Sequence, residues 1–446
     1  MAPDHKTLEI LLHGVGGIRY LLPSSKEFDT LSCGYVKNSN TPLVIFRPKN
    51  ENEIIFCVQF CISNNIQFAV RVGGHDLYGR STVSNGATID LRDINYVNIS
   101  RDRQRARIGG GILTDTLLEH LEKDGLMTPV GGVGTVGYVG WATLGGYGMY
   151  SPSYGLGLDQ IIGARLVTSH NTVLSADQQL LKVLRGGGVG FGIVVELEIL
   201  VYPLQDVRLL VKSNSSKTQS LPAQLSLHPA LFNLPEVGPT WMTAFEWVGP
   251  KTKDYQIWLQ KLSKHNLQID VKTTTPLQHL RASTAMLPHS VYGRPQSVCI
   301  SHWTPEAISI LGTHGSNMPD QHYIGLTIHQ LHGRACELSL LPNIWMNRSP
   351  HFLVEILGFA SSIQDADKAI AWAKDFRKDL SAVNTALESS YIAMTDPSFL
   401  NLNRIYGEEV VKDLKRLKME YDPQGNFNHI ILDVQEREVV MGADVE

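Results

Sequence analysis

No apolar run in this 446-residue chain exceeds strand length, so no segment reads as a transmembrane span. The opening residues lack a basic stretch, an apolar core and a small-residue cleavage site, and the expected location is cytoplasmic or otherwise intracellular. Cysteine is scarce: five are scattered along the chain, which gives no disulfide framework and suggests reduced, mostly buried thiols. Cys57 and Cys61 share one face of an expected helix but lie too far apart to bridge without distortion. The net charge of -4 leaves no basic footprint for nucleic acid or for an anionic membrane surface. Three Asn-X-Ser sequons, at Asn98, Asn214 and Asn347, are about what chance gives in this length.

Several familiar motifs are missing too. There is no G-x-x-x-x-G-K-[ST] loop for ATP or GTP, no G-x-S-x-G elbow and no H-E-x-x-H pair. Gly14-Val15-Gly16-Gly17 follows an apolar run, but Arg19 stands where a dinucleotide fingerprint needs its third glycine. His329 and His332 are three apart on an expected strand and would face opposite sides, so no metal site is expected.

What the chain does have is glycine, 39 residues of it, concentrated in two places. Arg71-Val72-Gly73-Gly74-His75-Asp76 ends one expected strand. Gly131, Gly132, Gly134, Gly137, Gly140, Gly145, Gly146 and Gly148 then crowd a second stretch, with Gly186–Gly188, Gly190 and Gly192 beyond it. So many flexible positions cost chain entropy and call for a compensating partner. Glycine backbone can approach phosphate oxygens closely, and a buried dinucleotide is the simplest such partner.

Apolar periodicity predicts strand, helix and strand over 42–50, 51–65 and 67–72, followed by the Gly-Gly turn. Further strands are expected at 87–91, 106–108, 163–167 and 193–202, and a helix at 113–123. Composition shifts at Pro203. Beyond it, strand-like stretches at 240–248, 324–331 and 352–359 alternate with helical ones at 253–265 and 365–384. That alternation suggests an antiparallel sheet covered by helices, and a last helix follows at 407–421.

These segments, in this order, resemble the berberine-bridge-enzyme-like family of FAD-linked oxidases, of the vanillyl-alcohol-oxidase type. Arg71 to His75 is similar to its pyrophosphate loop, and Gly86-Ala87-Thr88-Ile89-Asp90-Leu91 to the strand that follows. Thr135-Val136-Gly137 to Gly145-Gly146-Tyr147-Gly148, then Tyr154-Gly155-Leu156-Gly157-Leu158-Asp159, resembles the second flavin loop. Arg185 to Ile193-Val194 matches another family segment; Tyr406-Gly407, Lys418 and Tyr421-Asp422-Pro423 to Phe427 resemble the C-terminal flavin cap.

The resemblance implies an α+β protein: a PCMH-type FAD-binding domain of two α/β subdomains over 1–205, a substrate domain over 206–385, and a C-terminal segment over 386–446 that completes the FAD domain. It implies FAD held by Arg71, Val72, Gly73, Gly74, His75, Asp76, Thr135, Val136, Gly137, Gly140, Trp141, Gly145, Gly146, Gly148, Tyr154, Gly155, Asp159, Ile193, Val194, Tyr406, Asn426 and Asn428. His75 would be the single covalent anchor, because Val133 occupies the place of the family's second, cysteine link. Trp141 replaces a frequent histidine, and the segment after Arg185 is one residue shorter than usual. A small Val136 at the family's oxygen gate implies access of O2 to the flavin.

Candidate catalytic residues are Glu355, a carboxylate flanked by apolar residues and suited to act as a general base if it faces the pocket, with Tyr391 and His329. The expected reaction is hydride transfer from a small natural product to flavin N5, with O2 giving H2O2, in secondary-metabolite tailoring. The alternative is a cyclase or pericyclase on the same scaffold, with no net redox use of FAD. Partners would be a small-molecule substrate and O2.

Overall fold

The computed structural model describes residues 5–13, 16–212, 221–234, 236–263, 270–388 and 391–427. A first sheet sets Val44–Arg47, Ala87–Asp90 and Phe68–Arg71 in parallel, with Arg19–Leu21 antiparallel at one edge. Val44–Arg47 and Ala87–Asp90 are buried at every residue, as strands covered on both faces must be. Helix Glu51–Ser63 starts where the Asn50 side chain accepts from the Glu53 amide at 3.1 Å, and it buries Ile54, Cys57, Val58, Phe60 and Cys61. Cys57 and Cys61 are free, buried thiols that burial pushes up, Cys57 to about 12. The Gly73-Gly74 turn leaves the carboxyl end of Phe68–Arg71.

A second, antiparallel sheet runs Val97–Ile99, Arg105–Gly109, Ile193–Leu200, Ile161–Val167, Val173–Ser175. Helices Thr114–Lys123 and Gln178–Gly187 contribute Leu117, Leu118, Leu121, Leu180 and Leu184 to its core.

The third sheet has seven strands, all antiparallel: Asp270–Thr274, Val207–Lys212, Gly238–Val248, Leu225–Leu234, Gly325–Leu331, His351–Leu357, Gln296–Ile300. Because side chains alternate across a strand, one face carries Val298, Ile328, Val354 and Ile356 under helices Pro305–Ser316 and Ile363–Ser381. The opposite face turns toward the N-terminal half. There Ser226 Oγ donates to the Met149 carbonyl at 2.6 Å, and Cys299, Leu331 and Leu353 pack with Tyr147, Leu156 and Leu158.

The expected elements appear with ends shifted by a few residues. One expected strand, 352–359, divides into His351–Leu357 and Phe359–Ala360, because Gly358 lies against the Arg294 carbonyl and Ala373. The sequence reading passed over Leu225–Leu234, where Pro229 interrupts the alternation, and over helices Pro276–Ala285 and Pro305–Ser316. Among the described residues no helix is long and apolar enough to cross a membrane.

The C-terminal helix Glu408–Tyr421 packs Val411, Leu414 and Leu417 into the core of the second sheet. Lys418, 1% exposed, donates from Nζ to Asp422 Oδ2 and to the Gly190 carbonyl, both at 2.7 Å. Asp422 also accepts from the amides of Asn426 and Phe427 at 2.9 Å, and the Phe427 ring meets Phe68 edge-on at 5.6 Å. Removing one partner would strand a buried charge. Lys418→Ala is therefore expected to cost about 3–5 kcal/mol, read as a lower denaturant midpoint. A change under about 0.5 kcal/mol would show that this pair does not secure the C-terminal segment.

Candidate functional site

The two glycine-rich loops, sixty residues apart in sequence, meet backbone to backbone. A Cβ at Gly73 would collide with the Thr135 carbonyl and lie 2.6 Å from the Gly137 amide nitrogen. One at Gly137 would lie 2.6 Å from Val72 Cγ1. His75 Nε2 and Thr135 Oγ1 are 2.7 Å apart across the same junction. The second loop is itself held: Thr114, at the start of its helix, donates from N and Oγ1 to the Val136 carbonyl at 3.0 and 2.8 Å. Asp76 closes the turn after His75 by accepting from Arg80 Nε at 2.6 Å and from the Tyr78 and Arg80 amides.

Arg71 is 3% exposed at the root of the first loop. Its Nη2 donates to the Cys33 carbonyl, but Nε and Nη1 are buried with no partner among the described residues. Burial lowers the guanidinium to about 10, which still leaves it charged near neutrality. The amides of Gly73, Gly74 and His75 donate to no described residue. A buried cation with idle donors beside free amides suits an anionic, phosphate-bearing group. By this test the residues fit FAD.

Burial and then the nearby Arg71 charge lower His75 to about 4, so its imidazole is neutral at physiological pH. Tyr35 stacks on it, with ring centroids 4.9 Å apart and planes at 19°. Tyr35 belongs to a stretch the sequence reading passed over: its amide donates to the Gly74 carbonyl at 2.8 Å, and its carbonyl accepts from Val291 at 2.8 Å. Burial, then Glu355 and Tyr323, raise the Tyr35 phenol to about 12.

Beyond the junction, Trp141 donates from Nε1 to the Tyr147 carbonyl at 2.9 Å, and its ring lies where a Cβ on Gly146 or Gly157 would point. Gly145, Gly146 and Gly155 have φ of +126°, +83° and +89°, left-handed values that favour glycine. At Gly140 and beside Thr135 the surface is open, and a Cβ on Gly140 would meet nothing within 4 Å. Gly148 accepts no side chain either, since its Cβ would strike the Val130 carbonyl.

Several residues expected to touch the cofactor also make contacts within the fold. The Asp159 carboxylate takes two hydrogen bonds from Arg348, at 2.7 and 2.8 Å, and one from the Leu156 amide at 2.8 Å, so it ties the second loop to the third sheet. Tyr406 is 1% exposed and gives its hydroxyl to the Gly186 carbonyl at 2.7 Å. Asn426 is spent on Asp422. Ile193 and Val194 bury their side chains in the sheet cores, and Tyr154 leans on Tyr202 at 4.6 Å. Asn428 lies outside the described residues.

Of the catalytic candidates, Glu355 and His329 share the third-sheet face that turns toward the loops. Thr327, paired with Glu355 across the strands, donates to Glu355 Oε2 at 2.9 Å. His329 Nε2 is 3.3 Å from Thr327 Oγ1 and 3.7 Å from Glu355 Oε2. Tyr391 sits apart from them, 2% exposed against Tyr147 and Gly145. Burial pushes its phenol up, opposed by the amides of Gly146 and Tyr147. Three further residues escaped the sequence reading. His228 Nδ1 and Glu246 Oε2 are 2.5 Å apart, and His279 Nε2 reaches Glu246 Oε1 at 3.5 Å. Their one sequence signal is a lone carboxylate inside the apolar strand around Phe245 and Trp247.

Comparison with known proteins bears on this geometry. Residues 42–177 match the FAD binding domain family. The FAD-linked oxidoreductase aurO of Gibberella zeae is 28% identical over 96% of this chain and 87% of its own. (R)-6-hydroxynicotine oxidase of Paenarthrobacter nicotinovorans is 34% identical over 41% of each chain. BBE-like 1 of Physcomitrella patens shares the fold, with a TM-score of 0.79 at 19% identity over 94% of this chain and 97% of that one. Over nearly its whole length the chain is similar to an FAD-linked oxidoreductase, and the fold it shares is that of BBE-like proteins. Its cofactor is FAD, and its fold is the PCMH-type α+β architecture. Glucooligosaccharide oxidase of Acremonium strictum has the same fold, with a TM-score of 0.78 at 18% identity over 95% of this chain and 98% of its own, and carries a 6-S-cysteinyl, 8α-N1-histidyl FAD.

In this FAD-linked oxidoreductase the loop junction leaves no room for a methyl group. Gly73→Ala is expected to part the loops and abolish flavin retention, read as the ratio of absorbance near 450 nm to that of the protein. A variant that stays fully yellow would show that the close approach is not what holds the cofactor.

Proposed function

We propose that the protein oxidises a small-molecule natural product, with FAD tethered once through His75 and O2 as the terminal acceptor. Bound FAD would take a hydride at N5 from a substrate C–H beside oxygen or nitrogen, or conjugated with a phenol, and pass the electrons to O2 as H2O2. The Arg71 guanidinium would neutralise the pyrophosphate, and the amides of Gly73 and Gly74 would face its oxygens. A neutral His75 keeps a lone pair for bond formation. With Nε2 engaged by Thr135, Nδ1 is the nitrogen left for the tether. Val133 offers no thiol for a second one.

Glu355 is the base in this reading, oriented by the Thr327 hydroxyl. One observation supports it: Glu355 lies on the third-sheet face that turns toward the loops and has the Thr327 hydroxyl, at 2.9 Å, as its one described hydrogen-bond partner. In this reading the carboxylate and the tether border one substrate space, of the mixed apolar and polar kind that small molecules occupy. Tailoring of a secondary metabolite is the role this gives the enzyme.

Acid precipitation tests the tether. Wild-type protein should keep its yellow colour in the pellet, whereas His75→Ala should release all flavin to the supernatant; free flavin from wild-type protein would refute the bond. Once a substrate is found by oxygen-electrode screening with peroxide detection, Glu355→Gln should lower turnover by about 10²–10⁴-fold with the melting temperature unchanged. Product formed without oxygen uptake would instead favour redox-neutral cyclisation on this scaffold.

A further inference from the structure

Tyr35 belongs to neither glycine loop, yet its ring lies flat against the histidine that closes the first. The Tyr35 and His75 rings stack with centroids 4.9 Å apart and planes 19° from parallel. Tyr35 has a seat of its own. Its amide donates to the Gly74 carbonyl at 2.8 Å, one residue before His75. On its other side the Val291 amide donates to the Tyr35 carbonyl and the Lys37 amide to the Val291 carbonyl, both at 2.8 Å. Val36 and Val291 are bridged in parallel there and are buried with Phe359, whose ring meets Tyr35 edge-on at 6.0 Å. A Cβ on Gly34 would lie 3.2 Å from the same Gly74 carbonyl, so this stretch runs close along the loop.

His75 is thus held at two places. Thr135 Oγ1 meets Nε2 at 2.7 Å, at the edge of the ring, and Tyr35 covers a face. The two contacts restrain different motions. An imidazole lone pair lies in the plane of its ring, so a bond formed at Nδ1 must point along that plane. Tyr35, nearly parallel, fixes the tilt of the plane. Thr135 fixes the turn within it: a half-rotation about Cβ–Cγ would put Cε1, a carbon, where Nε2 now meets the hydroxyl.

We propose that Tyr35 is a positioning residue for the flavin tether, stacking on His75 so that Nδ1 meets the flavin 8α carbon in line, while Thr135 selects which ring nitrogen reacts. The proposal rests on the reading of His75 as the covalent anchor for its meaning, and on the stack and the Thr135 contact for its geometry. In the bonding step Nδ1 forms the bond to the 8α carbon, and one methyl C–H and the Nε2–H are given up. The two protons and two electrons released pass to O2 as H2O2. Tyr35 exchanges no proton in this step; it holds the ring that reacts.

The charges agree. Burial and then Arg71 hold His75 down at about 4, while burial, then Glu355 and Tyr323, hold the Tyr35 phenol up at about 12. Both rings are therefore neutral near neutrality. A neutral pair keeps the stack an aromatic contact and leaves Nδ1 its lone pair.

The rate of bonding tests this in the full chain carrying Tyr35→Ala, Tyr35→Leu, Tyr35→Phe or Thr135→Val, beside the wild type. Synthesis is pulsed and stopped, protein is purified at intervals, and the share of its bound flavin that precipitates with acid is followed. Tyr35→Phe, which keeps the flat ring, should bond flavin at the wild-type rate. Tyr35→Ala and Tyr35→Leu should bond it at least about tenfold more slowly, because a reacting atom misplaced by an ångström costs on the order of 10²-fold. NMR of the flavin peptide should show Nδ1 alone linked in the wild type and in Tyr35→Phe, and both ring nitrogens linked in Thr135→Val. Thermal melts establish that each variant is folded, and Tyr35→Leu carries the test if Tyr35→Ala does not fold. A wild-type rate in folded Tyr35→Ala or Tyr35→Leu overturns the proposal, as does a Tyr35→Phe protein slowed as far as Tyr35→Ala. Linkage through Nδ1 alone in Thr135→Val overturns the part given to Thr135. Wild-type flavin that all comes off in acid would refute the tether itself, and the positioning with it.

Discussion

The approach of two backbone loops at Gly73 and Thr135–Gly137 is the contact on which the rest of this molecule depends. Neither loop belongs to the other's sheet. The first leaves a parallel strand of one sheet, and the second is held by the start of a helix that packs on the other. Only at that junction do Arg71, His75 and Thr135 come within reach of one another. The two N-terminal sheets thus hold the site in place, while the glycines permit it: any side chain at Gly73 would prise apart the surfaces that hold the cofactor.

The junction would be of little use without a fixed third wall. Arg348 grips Asp159 with both arms of its guanidinium, a geometry that a lysine could not reproduce. Tyr147, between the flavin-loop glycines and the sheet, shares a hydrogen bond of 2.7 Å with His351. Both ties run from the second glycine loop to the seven-stranded sheet. They set the distance between His75 and the face bearing Glu355. The C-terminal segment adds a third constraint through Tyr406, at the end of the short helix Leu402–Tyr406, and Lys418 on the last helix, which hold the Gly186–Gly190 stretch by its carbonyls.

Much of this was legible in the sequence, for a physical reason. Glycine clusters and short apolar alternations are local signals, and the elements around Arg71–His75 and Thr135–Gly148 fall where those signals put them. What escaped was long-range. Tyr35 reaches His75 only because a loop between two strands folds back on the Gly74 carbonyl. His228 sits beside Pro229, whose missing N–H breaks the alternation that would have marked a strand. Asp159 and Tyr406, expected cofactor contacts, also make ties within the fold. A motif gives a residue's neighbourhood, and it does not say that Arg348, nearly two hundred residues away, arrives to claim the carboxylate.

Two carboxylates share one face of the substrate sheet, and their surroundings separate their work. Glu246 faces two imidazoles, one on each oxygen, so its charge is compensated within the fold. Such a group resists protonation and has little capacity left for chemistry. Glu355 has a different set of neighbours: a single threonine hydroxyl within hydrogen-bonding distance, and an imidazole at 3.7 Å. A carboxylate offers about four lone-pair sites, and those of Glu355 are largely unclaimed by the described residues. The same sheet therefore carries one carboxylate held from both oxygens and one whose bonding among the described residues is left largely open. A fold that only needed to bury acidic residues would complete both. In the proposed function the open bonding of Glu355 is what taking up a proton requires.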